Sequence, residues 1–419
     1  MKKLVSRLGL LVLGAMCFAA CATSDPGTTP TDAPEATATV AATPTPEPTP
    51  EPTATPAPVV PEGATLLNTY GDLFGYVGTC ATYNQIMNST TMEHVLSQYN
   101  SITLENEMKP DAVLGGKATL FTKEEAEREY YVIPESYKDE LVPRLNFNAM
   151  DNALLLCEAR GISMRGHTLV WHSQTPLWFF KENFDANADY VTPEVMDGRM
   201  EFYIRTVMGH VYDYGLGSLM YTWDVVNEYL HADDKNWKAV YGDQGNNPTF
   251  VKKAFEIAND VLVEYGLENE VSLIYNDFNT YDCAADLLEL VEYINSDEKV
   301  CDGIGMQSHL KTSYPGTVKY KATLESFLNA GYEVQITELD VGNSGEGVQA
   351  MYYYELMQYI LDMKKNGANI TGMTIWGLYD GVSWRKDESP LLFSKFDEPK
   401  LSYEYVLKAY FEAGFEMAE

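Results

Sequence analysis

Two glutamates, Glu228 and Glu338, each follow a short run of β-branched and aromatic residues. Such runs predict buried strands, so each carboxylate is expected at a strand end. Two carboxylates delivered by separate strands suit glycoside hydrolysis, in which one is acid and base and the other is nucleophile or second base. The alternative is that each glutamate forms an unrelated ion pair. The pair alone does not decide between these interpretations.

The neighbours of the two glutamates follow from strand geometry. Because side chains alternate along a strand, Glu228 is predicted to share its face with Asp224, while Asn227 points to the opposite face. The run that contains Glu338 likewise consists of strand-forming residues that bring a glutamate to a strand end. Asp340 lies two residues beyond Glu338 and is therefore predicted to point the same way.

Other predicted strand ends also carry polar and aromatic side chains. Glu105, Asn106 and Lys109 offer acceptors, an amide and a cation that suit sugar hydroxyls, although surface turns often have this composition. His167 and His172 could form a metal pair, but the segment between them lacks the carboxylate and the helix of a zinc motif. Tryptophan faces stack on pyranose rings, and any single tryptophan is more often part of a core. Three tryptophans lie near predicted strand ends: Trp171, Trp376 and Trp384.

Eight strands must position these side chains. Helical patterns separate them, for example at residues 249–265, where Pro248 precedes a run with apolar residues at helical spacing, and at 348–365 and 402–412. Alternating strands and helices predict an α/β fold, a (β/α)8 TIM barrel, whose active site lies at the carboxyl ends of the strands. The predicted strands are Phe74–Gly78, Ser101–Glu105, Ser163–His167, Thr222–Glu228, Val271–Asn276, Gly303–His309, Glu333–Glu338 and Gly372–Gly377.

The N-terminal segment predicts export. Basic residues precede an apolar run, Leu8–Ala20, of signal-peptide length, and small residues then precede Cys21. We predict a signal peptide at residues 1–20 and lipidation of Cys21, which would make the protein a cell-surface lipoprotein. The alternative is ordinary cleavage nearby and a soluble secreted protein.

A linker and one catalytic domain are predicted to follow. Residues 22–62 hold 11 of the 20 prolines and no aromatic residue, so they cannot bury enough apolar surface to fold. We therefore predict a disordered Pro/Thr-rich linker over residues 22–63. Residues 64–417 have an even composition and the length of a single barrel domain.

The net charge and the spacing of the cysteines argue against some classes of ligand. The net charge is −32, and removal of the three basic residues of the signal peptide gives −35 (−32 − 3), which argues against nucleic-acid binding. An uncharged polymer is the expected substrate. The later cysteines, Cys80, Cys157, Cys283 and Cys301, show no zinc-motif spacing. Cys283 and Cys301 could form a disulfide in an exported protein or remain reduced.

Seven segments at or near the predicted strand ends form a joint pattern. They are LENEMK (104–109), RGHTLVWH (165–172), TWDVVNE (222–228), YNDFN (275–279), GMQSHL (305–310), ITELDV (336–341) and TIWGLYDGVSW (374–384). The segments resemble, in family order, the motifs of glycoside hydrolase family 10, the retaining endo-β-1,4-xylanases, and jointly they are specific where VVNE or TELD alone is not. Residues 111–144 form a longer acidic segment than the family usually has, and Phe278 stands where a tyrosine is common.

The resemblance implies a role for each site residue. Glu228 is expected to be the acid and base and Glu338 the nucleophile, with xylan and xylo-oligosaccharides as substrates. Asn227 is expected to donate to the sugar 2-hydroxyl. A monomer without metal or organic cofactor is expected. The residues expected to bind substrate are Glu105, Asn106, Lys109, His167, Trp171, Gln174, Asn227, Phe278, Gln307, His309, Trp376 and Trp384.

The mechanism sets requirements on the two carboxyl groups. Glu228 must begin protonated, so its surroundings are expected to raise its pKa, with the charge of Glu338 contributing. Glu338 must be ionised, and His309 with Asp340 is expected to form a carboxylate–histidine–carboxylate network with it.

Two rival functions remain at this level. A cellulase-type barrel of the same clan also has an Asn-Glu pair and a second glutamate on the corresponding strands, although the RGHTLVWH and GMQSHL segments favour the xylanase family. Loss of either glutamate would have supported the other rival, a catalytically inactive xylan-binding barrel, and both glutamates are present.

Overall fold

A closed barrel of eight parallel strands forms the centre of the molecule. The computed structural model describes residues 60–129, 131–232 and 235–418. The strands pair in chain order, and the last pairs with the first, which closes the barrel. They are β1 (Tyr76–Ala81), β2 (Ser101–Leu104), β3 (Ser163–Trp171), β4 (Met220–Asn227), β5 (Ser272–Asp277), β6 (Gly303–Met306), β7 (Glu333–Gly342) and β8 (Ile370–Ile375).

One principal helix follows each strand and packs outside it. This arrangement confirms the predicted (β/α)8 barrel. The helix predicted over residues 249–265 has the predicted bounds, and the two predicted from 348 and 402 begin two and one residues earlier. The helices are α1 (Ser89–Gln98), α2 (Asn148–Arg160), α3 (Pro193–Asp213), α4 (Thr249–Tyr265), α5 (Ala284–Ile294), α6 (Thr317–Asn329), α7 (Glu346–Lys365) and α8 (Leu401–Glu412).

Helix α4 illustrates how the sequence specifies these elements. Its apolar residues recur at helical spacing, and Val251, Ala254, Phe255 and Val261 are all buried against the barrel. The helix ends where Gly266 adopts a φ of 69°. A left-handed residue of this kind satisfies the last carbonyl groups of a helix, and glycine adopts it without steric cost.

Several predicted strand boundaries are wrong. Phe74 belongs to a short helix, Asp72–Phe74, which ends at Gly75 with a φ of 87°, so β1 begins only at Tyr76. The sixth strand stops at Met306 because Ser308 takes a φ of 63°. The chain then forms a separate short strand, His309–Lys311, that pairs with the end of β7.

The long acidic segment after β2 folds onto the outside of the barrel. It contains a short helix, Pro110–Leu114, and an antiparallel pair of strands, Leu120–Thr122 with Leu141–Pro143. Asp139 anchors it through a bidentate ion pair with the buried Arg199 of α3, with N–O distances of 2.7 Å. A buried ion pair with two parallel hydrogen bonds fixes geometry as well as charge, so the segment is firmly docked.

The remaining helices and turns are short. They comprise a π-helical turn, Leu67–Gly71, the α-helices Tyr83–Ile86, Lys123–Arg128 and Lys235–Tyr241, and the 3-10 turns Leu177–Phe180, Glu182–Phe184, Gly217–Leu219, Asp380–Val382 and Lys386–Glu388, with a two-stranded hairpin of Phe393–Lys395 and Glu398–Pro399.

Other sequence predictions fall outside the described residues or are resolved by them. The predicted signal peptide, Cys21 and residues 22–59 of the predicted linker lie outside the described part of the chain. All four later cysteines are free thiols, so Cys283 and Cys301 are not joined. Across residues 60–129, 131–232 and 235–418, no helix combines the length and apolarity needed to span a bilayer.

Candidate active site

A cleft at the carboxyl ends of the barrel strands brings the predicted site residues together. Both glutamates and all twelve residues expected to bind substrate line it. They come from at least six strand ends, and their convergence is a property of the closed barrel, in which all strands end on one face. Four further residues complete the lining: Asn279, Lys311, Arg385 and Glu388.

The backbone presents Glu228 directly after β4. Glu228 has a φ of 63°, and its N–H donates to the carbonyl of Asn276 at 2.9 Å. Positive φ values at residues other than glycine are strained and concentrate at functional sites. The predicted alternation is wrong here, because a register shift between Asp224 and Val226 turns Asn227 to the same side as Glu228.

Three hydrogen-bond donors surround the Glu228 carboxylate. Trp171 Nε1 donates to Oε2 at 2.8 Å, His172 Nε2 lies 3.2 Å from the same oxygen, and Gln307 Nε2 donates to Oε1 at 2.8 Å. Burial raises the pKa of Glu228, as does the charge of Glu338, but the three donors outweigh both and lower it. The expectation of a raised pKa is therefore wrong for the free protein, because the sequence did not reveal these donors.

Glu338 lies within β7, and its side chain is nearly fully buried. The prediction that it terminates the seventh strand is wrong, because β7 continues to Gly342 by pairing with the short strand His309–Lys311. Asn276 Nδ2 donates to Glu338 Oε1 at 2.8 Å, and His309 Nε2 lies 3.1 Å from Oε2. Both oxygens of the carboxylate therefore have a partner on the protein.

His309 connects Glu338 to a second buried carboxylate. His309 Nδ1 lies 3.0 Å from Asp340 Oδ2, while the other Asp340 oxygen accepts from Arg385. Burial disfavours the charged imidazole, but Asp340 and Glu338 outweigh it and raise the pKa of His309 to about 10. The geometry is that of the predicted carboxylate–histidine–carboxylate network, with Arg385 as an additional member.

The positive charge of His309 in turn affects the pKa of Glu338. Burial by itself raises the pKa of this carboxyl group, yet its hydrogen bond to His309 and the positive charges of His167, His309 and Arg165 lower the pKa to about 2. Glu338 is thus ionised over the whole physiological range. It is a buried carboxylate that its hydrogen bonds hold in one orientation.

Asn276 and Gln307 orient the amide of Asn227. Both donate to Asn227 Oδ1, at 2.8 Å and 3.3 Å, and Thr337 Oγ1 in turn donates to Asn276 Oδ1 at 2.6 Å. Because these two bonds engage the oxygen, the Nδ2 group of Asn227 is the part of the amide that can donate. Asn227 lines the same cleft as Glu228 and Glu338, where a ligand hydroxyl could accept from it.

A cluster of buried ionisable side chains lies beside Glu338. His167 Nδ1 contacts Asp224 Oδ2 at 2.7 Å, and Arg165 Nη1 lies 3.8 Å from the same oxygen. His167, Asp224 and Glu338 are close enough to share a metal ion, with ligand atoms within 4.8 Å. The Arg165 guanidinium already balances these carboxylates and would repel a second cation, so the residues do not fit a metal.

Aromatic rings form the walls of the cleft. Trp376 is buried beside His167 and His309, whereas Trp384 is 59% exposed and leans over His309, with ring centroids 5.0 Å apart. Phe278 lines the cleft beyond Glu228 and packs on His231, with ring centroids 4.3 Å apart. Rings placed in this way offer apolar faces to a sugar.

Polar groups of the loop after β2 lie beside Trp171. The ammonium group of Lys109 sits 4.8 Å from the centre of the Trp171 ring. Gln174 donates to Asp111 at 3.3 Å, which ties the loop after β3 to the loop after β2. Burial raises the pKa of Glu105, and the charge of Lys109 opposes that rise.

Sequence reasoning missed two residues that contact the two glutamates, His172 and Asn276, and one that contacts Asp340, Arg385. His172 and Asn276 lie inside motifs that were recognised, and Arg385 follows Trp384 directly. His172 was considered only as a metal ligand. The signal for Asn276 was its position at the end of β5, and that for Arg385 was its place next to Trp384. Only the packed structure shows that Asn276 bridges Asn227 and Glu338.

Comparison with known proteins gives the same family throughout. The family model "Glycosyl hydrolase family 10" matches residues 65–409. Endo-1,4-beta-xylanase A of Butyrivibrio fibrisolvens is 47% identical over 348 residues, which are 83% of this chain and 85% of that protein. The bifunctional endo-1,4-beta-xylanase of Ruminococcus flavefaciens is 34% identical, over 79% of this chain and 33% of that protein.

Solved structures agree in fold. The N-terminal modules of endo-1,4-beta-D-xylanase 10B of Clostridium thermocellum, complexed with xylohexaose, superpose with a TM-score of 0.68 at 31% identity, covering 82% of this chain and 67% of that one. The endo-1,4-beta-xylanase of Caldicellulosiruptor owensensis superposes with a TM-score of 0.65 at 26% identity, covering 82% and 99%.

Proposed function

The chain belongs to glycosyl hydrolase family 10, as its seven motifs predict, and on that premise we propose that it is a retaining endo-β-1,4-xylanase with Glu228 as acid and base and Glu338 as nucleophile. The observation that carries the assignment of roles is the contrast between the two carboxyl groups. The surroundings of Glu338 lower its pKa to about 2, which suits a nucleophile. The Glu228 side chain is more exposed than that of Glu338, at 14% against 5%, which suits proton exchange with a leaving oxygen and with water.

In the first step, Glu338 attacks the anomeric carbon while Glu228 protonates the departing oxygen. The pKa of Glu228 is lowered in the free protein, so substrate must help to protonate it. A bound sugar chain displaces water and deepens burial, which raises the pKa of a carboxyl group. The leaving oxygen also gives the protonated form an acceptor. Asn227, which lines the cleft, is the proposed donor to the 2-hydroxyl, a bond that strengthens in the transition state.

In the second step, Glu228 deprotonates a water that hydrolyses the glycosyl–enzyme. Formation of the ester neutralises Glu338, and its charge then no longer raises the pKa of Glu228. The change favours the ionised form of Glu228 when a base is needed. His309, held by Asp340, remains beside Glu338 as a donor to the departing carboxylate.

A reducing-sugar assay on xylan and on carboxymethyl-cellulose tests the proposed activity. We expect release of reducing ends from xylan and little from the cellulose derivative. Equal or greater activity on the cellulose derivative would favour the cellulase-type barrel. Binding to xylan without any hydrolysis would favour the inactive binding protein.

We propose that the monomer suffices, because a single chain supplies every residue of the cleft.

Replacing His172 with alanine is expected to shift the alkaline limb of the kcat/KM profile to higher pH. The reaction needs protonated Glu228, so the rate falls above the pKa of that group. His172 lowers this pKa by stabilising the carboxylate, and removing it raises the pKa. The measurement is a pH–rate profile on an aryl xylobioside. The acid limb, set by Glu338, is the internal control, and a limb that stays or moves to lower pH contradicts the proposal.

We also propose that the protein is exported and anchored to the cell surface through Cys21. The signal-like segment ending in Ala-Ala-Cys supports this. Cys21→Ala is expected to move the protein from the membrane fraction to the medium in its native host, as measured by immunoblotting of the fractions. Cys17→Ala is the matched control, because it removes a nearby cysteine within the apolar run. If the Cys21→Ala protein stays in the membrane fraction, the proposed lipid anchor on Cys21 is contradicted.

A further inference from the structure

A second groove lies on the outer side of the barrel domain, between the long segment after β2 and helices α3 and α4. Its cavity volume is about 790 Å³, against about 640 Å³ for the active-site cleft, and the two share no lining residue. Glu129 and residues 131–136 form one wall, and the C-terminal parts of α3 and α4 form the other. The groove therefore exists because of the acidic segment to which the catalytic account gives no role.

The floor of the groove is one face of α3. Glu201, Arg205, Gly209 and Asp213 succeed one another at four-residue spacing. They span 12 residues, or about 18 Å at about 1.5 Å per residue. Gly209 leaves the helix backbone open to the groove, and a Cβ built there would meet only the Tyr265 hydroxyl, at 3.5 Å. The floor is long and shallow.

Aromatic rings lie along this floor in fixed orientations. Phe147 stacks on His210 with ring centroids 3.8 Å apart, and Tyr214 follows at 5.0 Å from His210. Tyr265 donates its hydroxyl proton to Asp213 at 2.6 Å, which holds its ring. Tyr214 and Tyr265 are 56% and 39% exposed, respectively. Two exposed and oriented tyrosines form a platform for flat apolar faces.

The polar groups of the groove are mainly acceptors. Five carboxylates line it, and its one arginine, Arg205, is already paired with Glu201, Asp260 and Glu264. None of the described residues brings an unpaired cation to the groove, so an anionic polymer would be repelled. A ligand that combines apolar faces with many hydroxyl donors is complementary to both the rings and the carboxylates. Pyranose chains have that chemistry.

We propose that this groove is a second binding site for the xylan chain, distinct from the catalytic cleft and independent of hydrolysis. The proposal rests on the proposed xylanase function, which supplies the polymer. The site would hold the polysaccharide on the domain while the cleft acts on another stretch of it. It gives the acidic segment after β2 a role as one wall of a binding surface.

Retention on insoluble xylan tests the groove in the full-length Glu338→Ala protein, which cannot consume the polymer. Adding Tyr214→Ala and Tyr265→Ala is expected to weaken retention at least five-fold, measured as a depletion isotherm. Tyr359→Ala, on α7 outside the groove, is the matched control and should retain the original affinity. In the otherwise wild-type chain, the two groove substitutions should leave kcat/KM on an aryl xylobioside unchanged, because that substrate fills only the cleft.

A second pair of variants tests the same groove without removing a ring. Gly209→Met should fill the floor and weaken retention, whereas Gly209→Ala should not, because its Cβ meets only an ordinary contact. Equal retention of all variants, or retention that depends on salt but not on the tyrosines, would overturn the proposal. If the wild-type chain hydrolyses neither xylan nor the aryl xylobioside, both proposals fall. If the wild-type chain hydrolyses xylan normally and the groove variants are retained as well as their parent, only the proposal of a second binding site is contradicted.

Discussion

Glu338→Ala is expected to abolish hydrolysis of xylan and of activated aryl xylosides alike, by roughly 10⁴-fold or more in kcat, as when other covalent enzymes lose their nucleophile. The first covalent bond is made by this carboxylate, so a better leaving group cannot compensate. The cavity left behind keeps the charged His309 and the Asn276 amide that contacted Glu338. Both groups favour entry of a small anion in place of the missing carboxylate.

Azide should therefore restore turnover in Glu338→Ala and give an α-xylosyl azide. The anion would attack from the side that Glu338 occupied, with a single inversion. NMR of the product anomer provides the measurement. Glu333→Gln is a matched control, because it removes a carboxylate from the other end of the same strand and should hydrolyse xylan normally. A β-azide from Glu338→Ala would show that Glu338 is not the nucleophile.

Glu228→Ala is expected to lose activity according to the leaving group. Xylan needs protonation of a poor leaving oxygen, so its hydrolysis should fall by roughly 10²–10⁴-fold, the usual contribution of a general acid. An aryl xylobioside with a good leaving group needs little protonation. Its first step should survive, and the glycosyl–enzyme should accumulate because no base activates water.

Added azide should rescue Glu228→Ala by attacking that intermediate without base assistance. Two inversions then give a β-azide, the opposite anomer to that expected from Glu338→Ala. A burst of the aryl product followed by slow turnover would report accumulation of the intermediate. An α-azide from Glu228→Ala would reverse the two assigned roles, and full activity on xylan would place the site elsewhere.

The barrel was predictable because its signals are local and repeated. Apolar runs of strand length alternate with helical patterns, and the polar residues cluster where strands end. The boundaries were less predictable, since they depend on single backbone turns such as the positive φ at Ser308. The extension of β7 to Gly342 depends on pairing with the strand His309–Lys311, a tertiary contact that no local pattern records.

The residues that line the cleft were also predictable, but their orientations and the hydrogen bonds between them were not. Motif positions brought both glutamates and the sugar-facing residues to one cleft. Strict alternation misplaced Asn227, because a register shift in β4 rotates the end of that strand. The donors to Glu228 are the last residue of β3, the residue after it and a residue in the turn after β6. Their effect on the pKa of Glu228 follows from distances that the sequence does not contain.

Trapping the glycosyl–enzyme tests the central claim most directly. A 2-deoxy-2-fluoro-xylobioside with a good leaving group slows both steps but spares the first more than the second, so the covalent intermediate should accumulate on the wild-type protein. Mass spectrometry of the intact chain and of its peptides then locates the label. We expect one fluoro-xylobiosyl group per chain, on the peptide that carries Glu338. A label on Glu228, or an unlabelled chain that releases the inverted sugar, would contradict it.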